Sequence, residues 1–94
     1  MSSSEEISKK IVPILKSAGA KRASLFGSYA RGDQTSESDV DILIEPPEGM
    51  TLFDMAGLVN DLEDVLGLRV DLLTYGAMHP RLEPYISKDA IIIF

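Results

Sequence analysis

The heptapeptide DVDILIE, Asp39 to Glu45, carries two carboxylates at alternate positions of an otherwise apolar segment. Its Val and Ile residues favour a β-strand, and Pro46 and Pro47 end it because proline cannot donate a ladder hydrogen bond. Strand side chains alternate between faces, so Asp39 and Asp41 share one face while Val40, Ile42 and Ile44 point to the other. Two like charges on one face repel, and they therefore need a cation, a proton or open water beside them.

Strand-patterned and helix-patterned segments alternate along the whole chain. Strands are predicted at Arg22–Phe26, Asp39–Glu45, Leu68–Thr74 and Ala90–Phe94. Helices are predicted from about Ser3 to Gly19, from Ser28, from Thr51 to Gly67 and from Pro80 to Lys88. The order α-β-α-β-α-β-α-β predicts a small α/β (α+β) fold, in which helices flank a mixed β-sheet.

Capping residues mark two of these helices. Ser2 and Ser3 each precede a glutamate by three residues, which is the pattern of a capping box, while Pro13 predicts either a kink or a later start. Thr51, with Asp54 three residues later, predicts the beginning of the third helix.

Length and composition restrict the class of protein. A chain of 94 residues is one domain's worth, so residues 1–94 are expected to form a single domain. Its net charge of -6 argues against general binding to nucleic acid or an anionic membrane. The absence of cysteine excludes disulfides, and the N-terminus has no signal-peptide pattern, so a cytoplasmic location is expected.

A third strand aspartate extends the acidic pattern. Asp71 lies in VDLLT, thirty residues after Asp41, between two apolar residues. If the two strands are neighbours, Asp39, Asp41 and Asp71 form an oxygen-rich cluster that suits Mg²⁺ or Mn²⁺. An isolated strand aspartate is more often solvated or part of a turn. The combination with Gly27-Ser28, where glycine permits close backbone approach, favours a site that holds phosphate oxygens as well as metal.

The spacing of these residues resembles a known family. Gly27-Ser28, ten intervening residues and Asp39-x-Asp41 are similar to the GSx10DxD signature of the DNA polymerase β-like nucleotidyltransferase superfamily. The segment GSYARG followed by the segment SDVDILI, together with the short chain, resembles its minimal nucleotidyltransferase (MNT) family. The resemblance covers essentially the whole chain and implies the polymerase β-like fold.

The resemblance also implies a role for each matching residue. Gly27 and Ser28 would contact a nucleoside triphosphate, with ATP as the expected substrate. Asp39, Asp41 and Asp71 would bind two Mg²⁺ ions, and Asp71 would help to deprotonate the acceptor. A hydroxyl would then attack the α-phosphorus, and pyrophosphate would leave.

MNT proteins are commonly paired with HEPN-domain proteins as antitoxin and toxin, and some transfer AMP to a tyrosine of the toxin. The resemblance therefore implies a HEPN-type partner and a protein-borne acceptor. Two alternatives stay open at this point. One is a non-catalytic antitoxin that neutralises its partner by contact alone, and the other is a small-molecule nucleotidyltransferase completed by homodimerisation.

Two arginines near the motif have competing interpretations. Arg31 either contacts phosphate or neutralises nearby aspartates, with equal weight for both. Arg69 shares a strand face with Asp71, and pairing with a carboxylate is favoured over contact with phosphate. Tyr29 is expected to pack in the core, and His79, which has no metal-ligand companion, is expected in a loop.

Overall fold

The computed structural model describes residues 3–77, 81, 84 and 88–94. Its elements in chain order are α1 Ser4–Ser17, β1 Arg22–Phe26, α2 Gly27–Arg31, β2 Val40–Glu45, α3 Leu52–Leu66, β3 Val70–Thr74, a 3₁₀ turn Tyr75–Ala77 and β4 Ile91–Ile92. The predicted mixed α/β architecture is confirmed. The predicted helix from Pro80 to Lys88 lies mainly outside the described residues, as does His79.

The four strands form one mixed sheet in the order β3-β2-β1-β4. Strand β1, one of the two inner strands, runs antiparallel to β2 and to β4, whereas β2 and β3 are parallel. Parallel neighbours need a crossover connection, and α3 supplies it between β2 and β3. The two aspartate-bearing strands are therefore neighbours, which is the condition that the predicted acidic cluster requires.

Helix ends follow the capping residues. The Ser3 side chain accepts a hydrogen bond from the Glu6 amide at 3.2 Å, and α1 continues through Pro13, so the predicted later start is wrong. The capping box of α3 is complete. Thr51 Oγ1 accepts from the Asp54 amide at 3.2 Å, and Asp54 Oδ2 accepts from the Thr51 amide at 3.0 Å.

The core lies between one face of the sheet and the helices α1 and α3. Side chains that alternate along β1 and β2 pack there against apolar residues at helical spacing. The fully buried members of this core are Ile7, Ile11, Leu15, Ala23, Leu25, Val40, Ile42, Ile44 and Leu62. Asp41 points to the opposite face, as strand alternation requires. Among the described residues, no helix is both long and apolar enough to cross a membrane.

Two positions on α3 test this account of the core. Leu62 is fully buried, so Leu62→Ala should lower the free energy of unfolding by about 2–5 kcal/mol, because it removes apolar contact and leaves a cavity. Val65 is 45% exposed on the same helix, so Val65→Ala should change the free energy of unfolding by less than about 1 kcal/mol. Urea denaturation of both variants measures the difference, and equal effects would contradict this placement of the core.

Candidate functional site

The site begins with the pairing of two strands at the residues that carry carboxylates. Asp41 on β2 stands in register with Asp71 on the parallel strand β3. On its other side, Asp41 is in register with Phe26, the last residue of β1. The chain leaves β1 directly into Gly27, so the Gly-Ser turn and both aspartates meet at the same end of the sheet.

Gly27 lies against the Asp41 carboxylate. Its φ of +71° is in the left-handed region, which favours glycine. A Cβ built on Gly27 would overlap Asp41 Oδ2 and stand 3.1 Å from Cγ. Glycine is therefore required here both for the backbone conformation and for the approach of the turn to the carboxylate.

Asp39 immediately precedes β2, and an arginine engages its side chain. Arg69 Nε lies 3.1 Å from Asp39 Oδ1, and the Arg69 carbonyl accepts a hydrogen bond from the Val40 amide at 2.8 Å. The expected pairing of Arg69 with a carboxylate is confirmed. Both side chains are substantially exposed, so the ion pair contributes little stability and is easily exchanged for another partner.

Arg31, at the end of α2, is held by two carboxylates. Its Nε lies 3.1 Å from Asp33 Oδ2, and a terminal nitrogen lies 3.6 Å from Asp89 Oδ2. The hydrogen bond and charge of Asp33, with a smaller contribution from Asp89, raise the pKa of the Arg31 guanidinium. Of the two interpretations of Arg31, the structure shows the ion pairs.

Burial and the neighbouring charged side chains change the pKa of Asp41. Burial, followed by the neighbouring charges of Asp71 and Asp39, raises the pKa of the Asp41 carboxyl to about 6, while the charge of Arg31 opposes the rise. Asp71 and Asp39 therefore disfavour the ionised form of Asp41. A positive charge placed among the three side chains would counter this effect.

The donor set suits a divalent cation, although the side chains are not gathered around one position. Within residues 3–77, 81, 84 and 88–94, no group of three or more His, Cys, Asp or Glu side chains is arranged to hold a metal ion. Asp39 is turned towards Arg69, whereas Asp41 and Asp71 share a register position. Carboxylate oxygens and uncompensated negative charge nevertheless fit a hard cation such as Mg²⁺.

Two contributions to this region, from Thr35 and from Asp89, were missed from the sequence. Thr35 folds the loop between α2 and β2 together with Ser38, because Ser38 Oγ accepts from the Thr35 amide at 2.9 Å and Thr35 Oγ1 accepts from the Glu37 amide at 3.2 Å. Asp89 reaches Arg31 from a distant part of the chain. The Thr-x-x-Ser spacing could have indicated the turn, but no local pattern indicates the Asp89 contact. Tyr29 is buried in the core, as expected.

Comparison with known proteins identifies the family to which the chain belongs. The family model of the nucleotidyltransferase domain matches residues 8–93. The chain belongs to the nucleotidyltransferase domain family. This nucleotidyltransferase is 52% identical over 86 residues to a protein of Methanocaldococcus jannaschii that carries the name of a protein adenylyltransferase, and the match covers 92% of each chain.

Solved structures support the same assignment. A minimal nucleotidyltransferase superposes with a TM-score of 0.79 at 38% identity, over 89% of this chain and 86% of the other. One chain of a complex from Shewanella oneidensis also superposes, with a TM-score of 0.75 at 20% identity over 96% of this chain and 71% of that chain. The complex contains a tri-AMPylated HEPN toxin and MNT antitoxin. The second likeness concerns the fold alone. The predicted MNT family and the prediction of an enzyme are confirmed.

Substitution of Gly27 tests the close approach to Asp41. Gly27→Ala should lower the free energy of unfolding by about 1–2 kcal/mol or more, because the left-handed backbone and the Asp41 carboxylate both oppose a Cβ. Gly57→Ala in α3 is the matched control, since no atom lies within 4 Å of the added Cβ and alanine favours a helix. Denaturation curves should show destabilisation at Gly27 alone, and tolerance at both positions would contradict the geometry.

The pH dependence of stability tests the carboxylate cluster. The folded pKa of Asp41 is about 6, above the ordinary 3.8, so folding favours the protonated acid and ionisation destabilises the fold. In chelator-treated buffer at pH 8, Asp41→Asn should raise the free energy of unfolding by about 1 kcal/mol, a value reduced for solvent screening. The gain should shrink as the pH falls through 6 and vanish below about pH 4, where the acid is protonated in both states. A gain that persists at low pH, or a loss at pH 8, would contradict the cluster.

Proposed function

We propose that this single-domain protein is a Mg²⁺-dependent protein adenylyltransferase that transfers AMP from ATP to a hydroxyl of a HEPN-type toxin, and so acts as an antitoxin. The observation that carries the proposal is the register of Asp41 with Asp71, next to Gly27. It brings two carboxylates and a turn free of side-chain bulk to one end of the sheet. That is the combination that nucleotidyl transfer needs, namely charge stabilisation and room for a triphosphate.

Two similarities support the substrate and the partner. The M. jannaschii relative is named for protein adenylylation and shares more than half of its aligned residues with this chain. The S. oneidensis neighbour pairs MNT antitoxin with an AMPylated HEPN toxin. We extend both properties to this chain because the fold and the positions of the carboxylates allow the same chemistry.

The proposed reaction is a single displacement at phosphorus. The acceptor hydroxyl oxygen forms a bond to the α-phosphorus of ATP, the bond from that phosphorus to the bridging oxygen breaks, and pyrophosphate leaves. The Asp71 carboxylate takes the hydroxyl proton. Gly27 and Ser28 hold the triphosphate close to β2, because the absence of a side chain at position 27 lets the turn lie against the Asp41 carboxylate.

Asp39, Asp41 and Asp71 are the residues that would hold the metal. When bound, divalent ions stabilise the charge on the attacking and leaving oxygens. To join this set, Asp39 would have to give up its exposed ion pair with Arg69. Arg31 is the proposed further contact to the triphosphate, and it would exchange the exposed Asp33 and the partly buried Asp89 for phosphate oxygens.

A direct transfer assay tests the proposal. The full chain is incubated with the product of the adjacent gene, which the proposal expects to be a HEPN-type protein, together with ATP and Mg²⁺. Intact-protein mass spectrometry then measures the partner. A mass increase of one AMP per modified site is expected. Asp39→Asn/Asp41→Asn should reduce the rate by at least about a hundredfold, because charge stabilisation is the main source of catalysis. Glu5→Gln/Glu6→Gln, which removes the same charge from exposed positions of α1, should leave the rate unchanged.

The same variants separate the remaining alternatives. If no nucleotide is transferred and the double aspartate variant still neutralises the toxin fully, the enzymatic proposal is wrong and contact alone suffices. Transfer of AMP to a small molecule, with the partner unmodified, would instead favour the nucleotidyltransferase completed by homodimerisation.

A further inference from the structure

An open groove of about 950 Å³ lies between α1, α3 and the 47–50 loop. Ile14 and Leu58 contribute apolar surface from the two helices, and Met50 contributes from the loop. These helices cover the face of the sheet opposite to Asp41, so the groove is separate from the site described above. None of the proposed catalytic residues lines it.

An unusually exposed aromatic side chain borders this groove. Phe53 lines it and is 90% exposed, and Val65, at the other end of α3, lines it at 45% exposure. Exposed apolar side chains that border a concave apolar surface are typical of interaction sites. Aromatic residues in particular contribute strongly to binding when a partner buries them.

The charged residues of the groove all have the same sign. Four carboxylates line it, namely Glu48, Asp54, Asp61 and Asp64. Among the described residues that line it, none is Lys, Arg or His. The groove is therefore an apolar trough with an acidic rim, which favours an apolar ligand with positive charge along its edges and disfavours an anion.

We propose that this groove binds an amphipathic helix of a partner protein, with an apolar stripe flanked by lysine or arginine. A helix laid between α1 and α3 would cover Phe53 and Ile14 and bring its basic side chains to the carboxylates, which is the helix-in-groove mode of recognition. A symmetric contact with a second copy would instead place the same four carboxylates against one another. The inference goes beyond the proposed function, because the groove needs no nucleotide transfer to bind its partner.

A designed peptide tests the proposal without requiring the natural partner. The probe is a synthetic amphipathic helix of about 18 residues, with a leucine stripe flanked by lysines, and the matched peptide carries glutamates instead. Titration into the ¹⁵N-labelled full chain should shift the amide signals of Phe53, Gly57 and Val65. The lysine peptide should bind at least about tenfold more tightly than the glutamate peptide, and rising salt should weaken it.

Matched variants separate groove binding from general attraction to an acidic protein. Phe53→Ser should weaken the lysine peptide by about tenfold or more, whereas Ile92→Ser, at a residue that is 79% exposed on β4, should not. Asp61→Asn/Asp64→Asn should reduce both the affinity for the lysine peptide and the dependence of that affinity on salt. Glu5→Gln/Glu6→Gln, which removes the same charge outside the groove, should leave both nearly unchanged.

Three results would overturn the proposal. The first is equal affinity for the two peptides, and the second is a set of signal shifts centred outside the groove. The third is a concentration-dependent shift of the same signals without peptide, which would identify a second copy as the occupant. Loss of AMP transfer affects none of these measurements, so failure of the proposed function is distinguishable from failure of the groove.

Discussion

The parallel pairing of β2 with β3 is the constraint on which the candidate site depends. Its register places Asp41 opposite Asp71, and it is fixed from the other face, where Val40, Ile42 and Ile44 are fully buried. A slip of one residue in β3 would move Asp71 to the core face and bring its apolar neighbours into the site. The apolar core thus holds two carboxylates together, although burial of Asp41 and repulsion by Asp71 both raise the pKa of Asp41.

Much of this arrangement could be predicted from the sequence because the determining signals are local. Alternation of apolar and acidic residues predicted β2, and Thr51 with Asp54 predicted the beginning of α3. The pairing of β2 with β3 was only a condition of the predicted acidic cluster, and the structure meets it with a helical crossover between two parallel strands. The assignment to the MNT family came from the resemblance of the Gly-Ser and Asp-x-Asp motif.

Other features could not be predicted because they depend on contacts distant in sequence. The pairing of Arg69 with a carboxylate was expected, but no local pattern indicates that its partner is Asp39, or that Asp89 reaches Arg31. The conflict between a Cβ at Gly27 and the Asp41 carboxylate likewise appears only when β1 and β2 are paired. The acidic groove depends on how α1 packs against α3, and its aspartates look like ordinary solvated helix positions in the sequence.

Paramagnetic broadening by Mn²⁺ tests most directly whether the paired carboxylates form a metal-dependent site. Substoichiometric Mn²⁺ is added to the ¹⁵N-labelled chain with a non-hydrolysable ATP analogue, and the amide signals are followed. If the paired carboxylates bind the metal, Gly27, Asp41 and Asp71 should broaden first and Asp41→Asn/Asp71→Asn should abolish the effect. Broadening centred on Asp61 and Asp64 of the acidic groove, or unchanged broadening in the double variant, would contradict metal binding by this pair.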